Sequence, residues 1–125
     1  MKILVVDDSL LDRKLLVNIL QKSGIQNEII QASDGEKGLE ILSSNYQDIC
    51  LIILDWQMPK MDGIGFMTAV VQVPAVANIP IIMITASSAE ENRKLAKDTN
   101  PNLAGYLVKP YSTETLIETV KKFVK

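Results

Sequence analysis

The sequence predicts an α/β domain: a five-stranded parallel sheet, (βα)5 doubly wound, with helices on both faces. Three observations predict it. Short runs rich in β-branched residues recur five times along the chain. Each is followed by a helical pattern with its own start signal. Three of the runs are apolar on both faces, as central parallel strands between two helix layers must be. The length of 125 residues suits one domain with one core, and an apolar content of 47 % is too high for a disordered chain.

The elements follow in order. "ILVV" (3–6) is the first strand. Ser9 then caps a helix that carries Leu11, Leu15, Leu16, Ile19 and Leu20 at spacings of three and four, with Gly24 as its stop. "EIIQA" (28–32) is the second strand. In "SDGEKGLEIL", Ser33 and Glu36 form a capping box ahead of Leu39 and Leu42. "CLIIL" (50–54) is the third strand, and "GIGFMTAVVQV" a third helix that ends before Pro74. "IIMIT" (81–85) is the fourth strand, followed by "SSAEENRKLAKD" with another Ser-x-x-Glu start. "YLV" (106–108) is the fifth strand. "STETLIETVKKFVK" closes the chain as a helix with Leu116, Ile117, Val120, Phe123 and Val124 on one face. Lys121, Lys122 and Lys125 complement its dipole at the C-terminal end. Gly38 and Gly105 interrupt otherwise regular elements and mark close packing. No repeat, low-complexity segment or linker is present.

Composition excludes several classes of function. Acids outnumber bases 15 to 13, so no basic excess points to nucleic acid. No apolar stretch reaches the roughly 18 residues that span a bilayer. The N-terminus "MKILVVDDS" is too short for a secretory signal. A lone Cys50 rules out an internal disulfide, fits a reducing, cytoplasmic compartment, and is expected to be buried in its apolar run. There is no histidine. Ser-His-Asp and Cys-His triads and the usual zinc sites are therefore absent, and chemistry must come from carboxylates, lysine, hydroxyls, backbone or a hard metal.

In a parallel sheet all strand C-termini share one edge, and ligands bind outside that edge. "ILVV" runs into Asp7 and Asp8, "CLIIL" into Asp55, "IIMI" into Thr85 and "YLV" into Lys109. Each has an ordinary reading by itself: a helix cap, the start of a turn, a strand-end threonine, a surface lysine. Together they bring three carboxylates, a hydroxyl and an ammonium to one edge. Clustered carboxylates repel unless a cation lies among them. One lysine against three acids leaves room for a divalent ion, and oxygen ligands favour Mg2+. A carboxylate beside Mg2+ and a lysine, with a hydroxyl near by, suits phosphoryl transfer with the carboxylate as nucleophile. Asp55 is the expected nucleophile, and Asp7 and Asp8 the metal pair.

At these residues the chain resembles a response-regulator receiver domain of the chemotaxis type. "VVDDS" (5–9), "LDWQMPKMDG" (54–63), "ITA" (84–86) and "YLVKP" (106–110) match that family in order and spacing, and the resemblance covers essentially all of residues 1–125 as one receiver domain. It implies a flavodoxin-like sheet of order 2-1-3-4-5. It implies that Asp55 accepts a phosphoryl group from the phosphohistidine of a sensor histidine kinase or histidine phosphotransfer protein. By the same resemblance Asp7, Asp8, Asp55 and the backbone carbonyl of Gln57 hold Mg2+, with Asp8 the more direct of the pair. Thr85 and Tyr106 are then the switch residues, Lys109 pairs the phosphate, and the Lys109–Pro110 bond is cis. Gln57 and Ser87 lie where the family tunes the lifetime of the acyl phosphate.

In the loop, Pro59 is expected to fix the backbone and Gly63 to permit positive φ, with Trp56 a partly exposed side wall. Met58 and Met61 are open between packing and a site role. The fourth helix offers only Ala89, Leu95 and Ala96 to the core, so it should be weakly anchored. The face of the fourth helix, fifth strand and fifth helix (residues 88–125) is the expected output surface toward a protein target, with no nucleic acid and no membrane. The domain is expected to catalyse no reaction beyond its own phosphorylation and dephosphorylation. Three rivals differ in visible ways. An aspartate-nucleophile phosphatase usually carries a second Asp where this chain has Gln57. A degenerate receiver serving as a binding module would lack part of the site. A nucleotide-binding flavodoxin-like protein would place a glycine-rich loop where this chain has Asp-Asp-Ser.

Overall fold

The computed structural model describes residues 1–124; the expected dipole role of Lys125 lies outside them. Its elements alternate as predicted: β1 (Lys2–Val6), α1 (Leu10–Lys22), β2 (Glu28–Ala32), α2 (Gly35–Asn45), β3 (Ile49–Asp55), α3 (Gly63–Val71), β4 (Ile81–Thr85), α4 (Glu90–Thr99), β5 (Gly105–Val108) and α5 (Thr113–Lys121). A short 3-10 turn, Tyr46–Asp48, leads into β3. The strands form one parallel sheet of order β2-β1-β3-β4-β5. This is the flavodoxin-like architecture, with β3 at the centre.

Strand period two divides the core between the two faces of the sheet. On one face Leu4, Val6, Ile52, Leu54, Ile81 and Met83 pack with Leu42 of α2, Phe66, Met67 and Val70 of α3, and Ala96 of α4. On the other, Ile3, Val5, Leu51, Ile53, Ile82 and Ile84 pack with Leu16 and Leu20 of α1 and Leu116 and Val120 of α5. The three doubly apolar runs are the three inner strands β1, β3 and β4.

Helix starts follow the sequence with shifts. Ser9 caps α1, accepting from the Asp12 N–H at 3.2 Å, and Ser112 caps α5. Gly24 ends α1 with a φ of 88°, and Ile25 N–H closes back on Leu20 O at 3.1 Å. The cap of α2 is Asp34 rather than Ser33: its Oδ1 accepts from Lys37 N–H at 2.8 Å, one residue later than the Ser33–Glu36 box. Asp34→Ala should therefore cost about 1 kcal/mol and Ser33→Ala much less, as read by urea unfolding. The reverse order would restore the predicted box. At α4 the Ser-x-x-Glu signal also fails. Ala89 is the cap, and its methyl group has no acceptor to offer; Ser87 Oγ instead accepts from Asn92 Nδ2 at 2.7 Å and Ala89 N–H at 3.3 Å.

The apolar stripe of α1 is wider than the face it buries. Leu16 and Leu20 enter the core, whereas Leu11 and Leu15 are exposed. Cys50 is half-buried rather than buried, with its thiol 3.5 Å from the Lys2 carbonyl at the base of the sheet. Gly38 does mark a close approach: a Cβ there would lie 2.9 Å from Phe66 and 3.0 Å from Val6. Gly105 is similar, 3.1 Å from Thr119 Cγ2. α4 buries Ala96 alone, and its Leu95 is 46 % exposed.

Candidate functional site

The C-terminal edge of the sheet collects the residues that the sequence singled out. Asp7 follows β1, Asp55 ends β3, Thr85 ends β4 and Lys109 follows β5. Asp7, Asp8 and Asp55 each offer a carboxylate oxygen, all within 4.8 Å of one another. Asp7 and Asp55 are buried and Asp8 is exposed, so the cluster opens to solvent on the Asp8 side. All its side-chain donors are hard oxygens, the set that suits a hard divalent cation. A cleft of about 480 Å3 runs from Asp8 past Trp56, Gln57 and Met58 to Asp62.

The electrostatics explain why a cation fits. Burial pushes the Asp7 carboxyl up to about 6; the Ser9 N–H, 2.9 Å from its Oδ1, works against this, and the Asp55 charge adds to it. Asp55 is likewise raised, first by burial, although Lys109 pulls it down by charge and by hydrogen bond. Lys109 Nζ donates to Asp55 Oδ1 at 3.2 Å and to Asp12 Oδ2 at 3.3 Å. Burial acts to lower the Lys109 pKa, but the charge of Asp55 and the hydrogen bonds to Asp55 and Asp12 outweigh it, so its pKa is raised. One ammonium shared between two carboxylates leaves the buried acids undercompensated.

Thr85 is fully buried, and its Oγ1 accepts from Gln57 Nε2 and from Ser87 N–H, both at 3.1 Å. Tyr106 donates its hydroxyl to the Ser87 carbonyl at 3.2 Å. The Arg93 guanidinium lies 4.6 Å from the centre of the Tyr106 ring. The Lys109–Pro110 peptide is cis.

Two expectations about the loop need correction. Trp56 does line the cleft, but at 9 % exposure it is buried rather than partly exposed and belongs to the core; its ring meets that of Tyr106 edge-on at 6.3 Å. Its indole is too large and apolar to stay out of the interior when the loop folds back over β3. Gly63 does not need positive φ, which falls instead on Lys60 at 68°. Gly63 is required by a close approach: a Cβ would lie 2.9 Å from Trp56 Cα and 3.0 Å from the Asp55 carbonyl. Met58 is buried and Met61 packs against the same cluster.

Four participants were not singled out in the sequence. Asp12 pairs with Lys109, and Arg13 donates to the Asp7 carbonyl and to Gln31. Asn92 and Arg93 of α4 reach Ser87 and Tyr106. Asp12 lies one turn before Leu16, so it shares the face toward the sheet once Leu16 is known to be the buried leucine, which helical spacing alone does not decide.

Comparison with known proteins agrees with this geometry. The response regulator receiver domain family matches residues 3–121. The chain is 33 % identical to the chemotaxis protein CheY of Pseudomonas aeruginosa, over 98 % of this chain and 94 % of that protein. It is 32 % identical to part of the sensor histidine kinase CheAY of Helicobacter pylori, matching 98 % of this chain and 15 % of that protein. Its backbone superposes on the chemotaxis protein CheY4 of Vibrio cholerae with a TM-score of 0.84, at 32 % identity, covering 98 % of each chain. The chain belongs to the response regulator receiver domain family of two-component signalling proteins.

Proposed function

We propose that residues 1–125 act as a single receiver domain in which Asp55 accepts a phosphoryl group from the phosphohistidine of a sensor histidine kinase or histidine phosphotransfer protein. The observation that carries this reading is the placement of a buried carboxylate, Asp55, beside two further acids and 3.2 Å from Lys109. A carboxylate oxygen of Asp55 attacks phosphorus; the new O–P bond forms as the donor N–P bond breaks, and the imidazole leaves. Asp55 must be ionised to attack. Lys109 holds that charge in the resting state and meets the phosphoryl oxygens afterwards.

Asp7, Asp8, Asp55 and the Gln57 carbonyl are the residues that would hold Mg2+, with the exposed Asp8 the more direct ligand of the pair. When bound, the ion neutralises phosphoryl oxygens and the crowded acids. Only the ionised form of Asp7 would serve as a ligand, and Ser9 N–H, 2.9 Å from its Oδ1, keeps that carboxylate oriented. Water attacking phosphorus breaks the O–P bond, releases inorganic phosphate and returns Asp55 to its free carboxylate; Gln57 and Ser87, both bonded to Thr85, are the residues that tune this step.

The acyl phosphate adds up to about two negative charges. Thr85 turns its hydroxyl toward them, releasing Gln57 and the Ser87 N–H, and the Ser87–Tyr106 contact responds. The face formed by α4, β5 and α5 (residues 88–125) is the output surface for a protein target. The single buried residue of α4 supports this, since loosely anchored elements are the ones that move. Chemical-shift mapping with a bound target that left this face untouched would rule it out. The lone cysteine supports a cytoplasmic location, and no described helix is long and apolar enough to cross a membrane.

The test is intact-mass spectrometry after incubation with acetyl phosphate and Mg2+. The expected result is a gain of one phosphoryl group that is lost in Asp55→Asn and in chelator. A gain that survives Asp55→Asn would place the acceptor elsewhere.

A further inference from the structure

We propose that Asp12, on the first turn of α1, is a positioning residue that competes with the phosphoryl group for Lys109 and so weakens the phosphorylated state. The inference rests on the reading of Asp55 as acceptor. Lys109 Nζ lies almost equally far from Asp55 Oδ1 (3.2 Å) and Asp12 Oδ2 (3.3 Å). It is therefore a divided cation, held between the sheet edge and α1.

The carboxylate of Asp12 is not occupied by helix capping. In a reciprocal capping box the acid three residues after Ser9 would accept the Ser9 N–H. Here that N–H is 2.9 Å from Asp7 Oδ1, while Ser9 Oγ serves the Asp12 N–H. The side chain of Asp12 is thus available to Lys109. Both border a cleft of about 280 Å3 with Asp7, Leu16 and Tyr111, which gives the lysine room to swing. Asp12 is 43 % exposed and Lys109 32 %, so the pair is screened and its effect is moderate.

The charge of Asp12 has two opposite consequences. It adds negative field beside the acid cluster, which favours a divalent cation. It also opposes any further negative charge on Asp55, directly and by retaining part of the Lys109 ammonium. Removing it should separate the two effects.

The experiment titrates Mg2+, and then beryllofluoride at saturating Mg2+, against wild type, Asp12→Asn, Lys109→Ala and the double variant. Trp56 fluorescence and backbone amide shifts report binding. Asp12→Asn should bind Mg2+ more weakly and beryllofluoride about two- to fivefold more tightly. In the Lys109→Ala background the gain for beryllofluoride should largely disappear, because the competition has lost its object. A purely structural role would weaken both ligands together. Unchanged or weaker beryllofluoride binding in Asp12→Asn, or a gain that persists in full without Lys109, would overturn the inference while leaving Asp55 as acceptor. Failure of wild type itself to bind beryllofluoride with Mg2+ would overturn the acceptor reading and the inference with it.

Discussion

Asp7→Asn is expected to stabilise the metal-free protein at neutral pH and to weaken Mg2+ binding severely. The two effects come from the same cause with opposite sign. The Asp7 carboxyl is raised from 3.8 to about 6 in the folded chain, chiefly by burial. Below pH 3.8 it is protonated folded or unfolded, and the substitution is neutral with respect to charge. As the pH climbs toward 6, the unfolded chain ionises first, and stability falls. The loss is complete above about pH 6 and amounts to roughly 3 kcal/mol at most. Asparagine carries no such penalty, and its amide oxygen still accepts from Ser9 N–H. Urea unfolding in chelator should therefore show the variant more stable at pH 7 and level with wild type near pH 3.5. In saturating Mg2+ the order should reverse, because ligand bound only to the folded state stabilises it. Loss of a group that hydrogen-bonds a metal ligand weakens metal affinity about 10–100-fold, so a lost carboxylate ligand should cost roughly a hundredfold. In wild type, Mg2+ affinity should fall about tenfold per pH unit below about 6, as protons compete for Asp7. If Asp7→Asn were no more stable than wild type in chelator at pH 7, the account of a strained acid pocket would be wrong.

The second large effect is expected at Gly63. Gly63→Ala places a Cβ 2.9 Å from Trp56 Cα and 3.0 Å from the Asp55 carbonyl, and neither is a side chain that can step aside. The loop would have to lift from the end of β3, breaking the 2.8 Å bond from Gly63 N–H to the Trp56 carbonyl. A cost of about 2–3 kcal/mol follows, with reduced Mg2+ affinity because Gln57 moves with the loop. Gly65→Ala is the matched control. Its Cβ would meet Met61 Cγ at 3.3 Å, a flexible neighbour, and alanine gains up to about 1 kcal/mol of helix propensity. Equal losses at both glycines would refute the close-approach explanation.

These glycines illustrate how far the sequence could be read. The Asp-Gly pair marked the start of α3 correctly, with Asp62 Oδ1 accepting from Gly65 N–H at 2.8 Å. The reason for Gly63 was not local, however. It lies in the return of the loop against β3, which no dipeptide reveals. The strands were legible because burial on both faces leaves a run of apolar residues that nothing else produces. The flank of α1 that is buried was not, since Leu11, Leu15, Leu16 and Leu20 satisfy helical spacing whichever way the helix is turned. Asp12 followed the same ambiguity: its direction depends on Leu16 facing inward. The convergence of Asp7, Asp55, Thr85 and Lys109 was legible because parallel strands bring their ends to one edge by topology alone. The Gln57–Thr85 bond and the reach of Asn92 and Arg93 from α4 depend on side-chain length and rotamer, and appear only in three dimensions.

The backbone beneath the site has a consequence for signalling. Hydrogen bonds of the sheet run on past the strand ends: Asp7 N–H to Ala32 O at 3.1 Å, Trp56 N–H to Ile84 O at 3.0 Å, and Lys109 N–H to Thr85 O at 2.7 Å. Asp55, Thr85 and Lys109 therefore stand on adjacent main-chain segments that are stitched to one another. New charge at this edge cannot be accommodated by sliding one strand past the next without unstitching them. Within the sheet what remains is torsion about side-chain bonds, passed outward to the loosely anchored α4. On the proposed reading the sheet is a stator, and phosphorylation is registered in the side chains and the helix mounted on it.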